Sequence, residues 1–270
     1  MSKMLLSAAA IAALFTGPAL SADLRRPVTK APPAPVAVYN WTGCYVKGGG
    51  GYGMFNQDTT TFDGSRQVGS EVTTGGRGWF GTVGGGCDYQ LAERWVVGVY
   101  GDYDFSSIEG DFASAIGNTT AFGSEKLKSA WAVGGRLGYL ITPAFLTYVG
   151  GGFTEARFDG ADLFLPTVPP ARAALAPGGP VSVGSQTFSG WFIGTGYEYN
   201  LSSAGWLPFP GLFWRTEYRY AQYDKDSRPI VFSVNGAPTG VSVESEKFVQ
   251  TIRSELVWRF NWSGPVRAGY

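Results

Sequence analysis

The chain has 270 residues, 21 basic and 21 acidic side chains, two cysteines and no histidine. Balanced charge gives a nucleic acid nothing to hold. The missing histidine excludes a Ser-His-Asp triad, a histidine-ligated haem and the common Cys/His zinc sites.

Residues 1–22 read as a signal peptide. Lys3 starts it, Met4 to Phe15 is apolar, and the small residues near Ala19 to Ala22 place cleavage after Ser21 or Ala22. The run is too short to span a bilayer and stops at Gly17-Pro18. Residues 23–40 are proline-dense and lack a hydrophobic period, as an extended periplasmic linker does. Its Arg25, Arg26 and Lys30 suit a solvated tether, or contact with anionic headgroups or peptidoglycan.

From Trp41 the texture changes to alternating segments bounded by Gly, Asn, Asp, Ser and Pro. The pattern predicts eight strands, at 41–56, 76–90, 94–107, 124–140, 145–158, 184–200, 212–225 and 244–262, with a tail at 263–270. The odd connections are long (57–75, 108–123, 159–183, 226–243) and the even ones shorter (91–93, 141–144, 201–211). Alternating long and short connections is the layout of an outer-membrane barrel, with long loops outside and tight turns in the periplasm. Beyond the signal peptide no run of some 18 apolar residues exists, so a membrane crossing would have to use strands. The expected fold is therefore all-β: a single closed antiparallel transmembrane barrel of about eight strands over 41–262.

Strand parity separates two faces, because successive side chains point to opposite sides. In the third strand Trp95, Val97, Val99, Tyr103 and Phe105 oppose Arg94, Tyr100, Asp102 and Asp104. In the fourth, Leu127, Trp131, Val133, Leu137 and Tyr139 oppose Lys126, Lys128 and Arg136. In the seventh, Trp214, Tyr218 and Tyr220 oppose Arg215, Glu217 and Arg219; in the eighth, Ile252, Leu256, Trp258 and Phe260 oppose Lys247, Arg253, Glu255 and Arg259. The fifth is the weak case, with Phe145, Val149 and Phe153 on the same parity as Glu155 and Arg157. A soluble lipocalin-like barrel would turn the apolar face inward. Trp and Tyr at strand ends, both signs of charge on the other face and a last strand ending in aromatics argue for the reverse.

The charged side chains then face a lumen only wide enough for side chains. Arg94, Lys126, Lys128, Arg136, Arg215, Arg219, Arg253 and Arg259 are expected to pair there with Asp88, Asp102, Asp104, Glu198, Glu217 and Glu255. The alternative is an anion conduit lined by the cations. Cys44 and Cys87 lie symmetrically about the first long connection and on the outward parity, so a disulfide and two unpaired thiols are both open. Gly48, Gly50 and Gly53 match a dinucleotide fingerprint by spacing, but no helix period follows them; the bland reading is a tightly coiled strand.

WTGCYVKGGGGYG (41–53), with the preceding Ala22-Asp23-Leu24 and proline-rich lead, resembles the opening strand of small outer-membrane surface antigens of alphaproteobacteria, the rhizobial and brucella type. WAVGGRLGY (131–139), WFIGTGYEY (191–199), RTEYRYAQYD (215–224) and RSELVWRFNW (253–262) are similar to that family's later strands. Cys44 and Lys47 stand where an aromatic and a small residue are usual. The resemblance implies an eight-stranded outer-membrane barrel with exposed loops, in a family described as structural and antigenic, with some haem-binding or porin-like members.

The expected role is a non-enzymatic structural and surface protein. No catalytic constellation, cofactor site or metal-ligand set emerges. Its partners would be lipopolysaccharide, phospholipid and the barrel assembly machinery, with no nucleic acid. A narrow small-solute channel and a loop-borne ligand or haem binder are the alternatives.

Overall fold

The computed structural model describes residues 39–116, 119–164, 181–204 and 211–261. The expected signal peptide, all of the linker but Tyr39 and Asn40, and the C-terminal tail lie outside them.

Eight long strands form the wall: β1 (Gly43–Asp63), β2 (Val72–Gln90), β3 (Trp95–Ile116), β4 (Thr119–Thr142), β5 (Phe145–Phe158), β6 (Gln186–Asn200), β7 (Leu212–Phe232) and β8 (Pro238–Asn261). Each pairs antiparallel with its sequence neighbour, and β8 returns to β1 along an unbroken register from Gly43↔Asn261 to Asp63↔Val241. That seam closes the eight strands into a ring, the condition for crossing lipid with strands.

The extracellular half is longer than the sequence suggests. β1, β2, β3, β4, β7 and β8 run on through most of the stretches expected to be loops. β5 and β6 stop earlier, and two short strands, Ala161–Leu163 and Val181–Val183, fill the gap: they pair with each other, Val181–Val183 pairs with β7, and Phe164 bridges to Phe122 of β4. The expectation of four long loops is thus corrected for three of them, which are hairpin extensions. The reason is chemical. Above the membrane the outer face is wet, so polar residues such as Asp58, Thr60, Glu244 and Glu246 occupy it, and the apolar-charged contrast that marks a transmembrane strand disappears.

Parity holds through the membrane zone. Outward positions carry Trp79, Val83, Val99, Phe105, Leu137, Ile193, Trp214, Ile252, Leu256 and Trp258, all exposed, with Val99 at 65% and Trp79 at 71%. The rings gather in two belts. One comprises Tyr52–Trp79, Tyr103–Phe105, Trp131–Phe153 and Trp191–Tyr220; the other comprises Trp95–Tyr139 and Phe145–Tyr197–Tyr199. Along β2 the belts are marked by Trp79 and Tyr89. About ten residues at ~3.3 Å each, tilted by ~40°, put them about 25 Å apart, the height of the apolar band of such barrels. Between the belts no outward position among the described residues carries a charge.

Inward glycines make room for rings lying flat on the wall. A Cβ at Gly86 would come within 2.6 Å of Tyr45 Oη, one at Gly150 within 2.7 Å of Tyr100 Oη, and one at Gly196 within 2.7 Å of Tyr148 Oη. The glycine-rich runs are therefore needed for close side-chain approach, not for turns.

Candidate functional site: the filled lumen

The lumen is stacked in layers. At the periplasmic end Trp41 is fully buried against Tyr39 and Phe213, and its indole N–H donates to the Pro143 carbonyl at 3.1 Å. Arg259 lies over the Trp41 ring, 4.7 Å from its centroid.

The next layer up is ionic. Glu198, reached from β6, accepts from Arg215 Nη2 at 2.7 Å, Arg259 Nε at 2.6 Å and Arg136 Nη1 at 3.3 Å. Asp88 on β2 pairs with Arg136, and with Arg259 at 2.8 Å. The faces of Tyr45 and Tyr148 separate the guanidiniums: Arg215 sits 4.6 Å from the Tyr45 centroid and Arg136 4.9 Å from that of Tyr148. Like charges are thus spaced by ring faces that attract cations.

A second ionic layer follows. Arg219 binds Asp102 in a two-pronged pair at 2.8 and 2.9 Å and also reaches Glu217. Arg253 bridges Asp102 and Asp104 at 3.2 and 3.1 Å. Lys47 joins Asp102 at 3.1 Å to Glu255 at 3.0 Å. Tyr148 Oη donates to Glu217 at 2.8 Å, tying the layers together. Across both layers the cations Lys47, Arg136, Arg215, Arg219, Arg253 and Arg259 face the anions Asp88, Asp102, Asp104, Glu198, Glu217 and Glu255, all buried and equal in number. Equal numbers matter, because an uncompensated charge in a dry interior costs several kcal/mol, about 3–5 when one partner of a buried pair is lost.

A small cavity of about 30 Å³ lies above, lined in part by Asp104, Thr154, Tyr223, Thr251 and Arg253. Phe80, Ile108, Leu127 and Val249 also line it, and the polar side of this mixed lining suits a water molecule. Phe55, Phe158, Phe188, Ile108 and Leu127 then form an apolar plug. Beyond it Glu125 holds Arg228 at 2.9 Å and also Lys247, which reaches Gln57. A last apolar cluster of Phe112, Leu163, Val181, Val183, Ile230 and Val243 closes the extracellular half.

Eleven of the expected lumen residues are where parity puts them: Asp88, Asp102, Asp104, Arg136, Glu198, Arg215, Glu217, Arg219, Arg253, Glu255 and Arg259. Three are not. Arg94 is exposed at the periplasmic rim, where its guanidinium donates to Tyr139 Oη at 3.3 Å. Lys126 and Lys128 lie on the outer wall, and Lys128 pairs with Asp159 at 3.6 Å. An irregularity in β4, seen as register shifts at Leu127/Ser129 against β5 and at Phe105/Ile108 against β3, reverses the parity there. Leu127 and Ala130 consequently share the inner side, with Glu125 inward and the lysines outward. Four buried polar partners are additional to the expected set: Lys47, Glu125, Arg228 and Lys247. The parity of β8 already sets Lys247 on the charged face, whereas the irregularity in β4 masks Glu125 and the loop-like composition around it masks Arg228.

Cys44 and Cys87, opposite one another on β1 and β2, form a disulfide on the outer wall. Among the described residues no group of acidic or cysteine side chains is arranged to hold a metal ion.

The family described as outer membrane protein beta-barrel domain matches residues 7–260. The 31 kDa outer-membrane immunogenic protein of Brucella melitensis is 26% identical over 261 residues, spanning 93% of this chain and 98% of that protein. Solved structures of similar outline include the outer membrane protein OprG of Pseudomonas aeruginosa, with a TM-score of 0.44 and 14% identity over 83% of this chain and 100% of that one. The outer membrane protease OmpT of Escherichia coli has a TM-score of 0.43 and 10% identity over 81% of this chain and 97% of that one.

Proposed function

The chain belongs to the outer membrane protein beta-barrel family, and from that premise we propose that it is a non-enzymatic structural and surface protein whose barrel is a filled pillar. Residues 1–22 export it, residues 23–40 tether it on the periplasmic side, and the tail at 263–270 follows the last strand. Its partners are lipopolysaccharide, phospholipid and the assembly machinery, with peptidoglycan within reach of the linker. The hairpins above the upper aromatic belt are the part offered outside. The likeness to a Brucella immunogenic protein agrees with surface display.

The observation that carries this reading is the layered lumen. Two ionic layers and two apolar plugs occupy the axis, and every lumen carboxylate of the ionic layers has a basic partner within 4.0 Å. A carboxylate held in that way is a poor general base or nucleophile, and the chain has no histidine to serve instead. The second reading, a narrow channel, rests on the small cavity beside Asp104 and Arg253. Planar-bilayer recording separates the two. The filled pillar gives no discrete steps above bilayer leak in 1 M KCl (~3 Å screening length); reproducible single-channel openings would instead favour the channel.

A further inference from the structure

The disulfide sits where water does not reach. Cys44 and Cys87 point outward, and their register partners on the far side are Phe260 and Val99. Val46, Val83, Tyr89, Val99 and Phe260 crowd the same outer surface, each about half exposed or more. Tyr89, two residues below Cys87, belongs to the periplasmic aromatic belt, so the sulfurs lie on the lipid side of that belt. From the lumen they are screened by the wall itself, with Tyr45 packed over Gly86.

Thiol–disulfide exchange needs a thiolate and in-line access for the second sulfur compound. Hydrocarbon supports neither a thiolate nor a water-soluble oxidant. The bond, however, needs only β1 and β2 to meet, 43 residues apart in sequence, and does not require the β1–β8 seam. We propose that Cys44 and Cys87 are the substrate of a soluble periplasmic thiol–disulfide oxidase that acts on the unassembled chain, and that membrane insertion then seals the bond. In the first step one thiolate of the pair attacks the oxidase disulfide, forming a mixed disulfide and releasing one oxidase thiolate. The second cysteine thiolate then attacks the substrate sulfur of the mixed disulfide, closing Cys44–Cys87 and releasing the other oxidase thiolate. Two electrons pass to the oxidase, and the two protons from the cysteines pass to solvent or to the oxidase thiolates. The first hairpin is thereby stapled while the other edge of β1 is still free to receive β8.

The test follows the full-length chain in cells whose barrel assembly is slowed, with acid quenching and mass-tagged maleimide to count thiols. The unassembled periplasmic pool is expected to be oxidised already. In a host without the soluble oxidase, assembled protein is expected to carry two free thiols that added oxidised glutathione closes only after denaturation. As an independent arm, purified oxidised barrel in liposomes is treated with a water-soluble phosphine. It should keep its bond when folded and lose it in urea. The proposal is overturned by a reduced periplasmic pool beside an oxidised membrane pool. It is also overturned by glutathione closing the assembled thiols as fast as unfolded ones, or by phosphine reducing the folded barrel.

Discussion

Replacing Glu198 by glutamine isolates what the lower ionic layer contributes. The amide keeps the volume and removes one charge. Glu198 accepts from Arg215 at 2.7 Å, from Arg259 at 2.6 Å and from Arg136 at 3.3 Å. Arg136 and Arg259 retain Asp88. Arg215 retains only Glu255, at 4.0 Å. The layer goes from three guanidiniums against two carboxylates to three against one, in a buried site. The expected loss is about 3–5 kcal/mol, the penalty for orphaning a buried charge. Adding Arg215→Met removes the orphan and should return at least half of it, a coupling of ~1.5 kcal/mol or more. The assay is urea unfolding in lipid vesicles followed by tryptophan fluorescence, with the slope checked for constancy. A loss below ~1 kcal/mol for Glu198→Gln at unchanged slope would refute the reasoning, since it would mean that water screens the layer.

The upper charge cluster should respond asymmetrically in the same assay. Glu125→Gln leaves both Arg228 and Lys247 without a carboxylate and should cost about 3–5 kcal/mol, whereas Lys247→Met leaves the Glu125–Arg228 pair intact and should stay within ~1 kcal/mol. Gly196→Ala places a methyl 2.5 Å from the Thr216 carbonyl oxygen and 2.7 Å from Tyr148 Oη and should destabilise by about 1–3 kcal/mol; Gly184→Ala meets no atom within 4 Å and should change stability by less than ~0.5 kcal/mol. Val99→Arg, on the lipid side between the belts, should cost about 2–4 kcal/mol of folding in bilayers, measured against Val99→Ala.

Much of the architecture was written in parity. A strand with one side in hydrocarbon and the other in a charged lumen has a contrast that composition cannot hide: spacing puts Asp102, Glu217, Arg219, Arg253 and Arg259 on one face, and the aromatic strand ends turn that face inward. Where the contrast fades, parity no longer marks a strand. Above the membrane both environments of β1 tolerate polar groups, so Thr59 and Thr61 have the composition of a loop. At Leu127 the strand irregularity reverses inside and outside without any glycine or proline to announce it, so Lys126 and Lys128, which the spacing predicts inside, lie outside. Arg94 has the lumen parity but precedes its strand at the rim, beyond the reach of the layers. Lys47 has the inward parity of β1, and its place between Asp102 and Glu255 completes the equality of charge across the two main layers.

The account depends on which side of the wall meets lipid. Quenching of tryptophan by lipids brominated along the acyl chain reads that contact directly. Protein retaining Trp131 or Trp258 as its sole tryptophan should be strongly quenched in such bilayers, and protein retaining only Trp41 should keep its emission. Strong quenching of Trp41 with Trp131 and Trp258 unaffected would contradict the account.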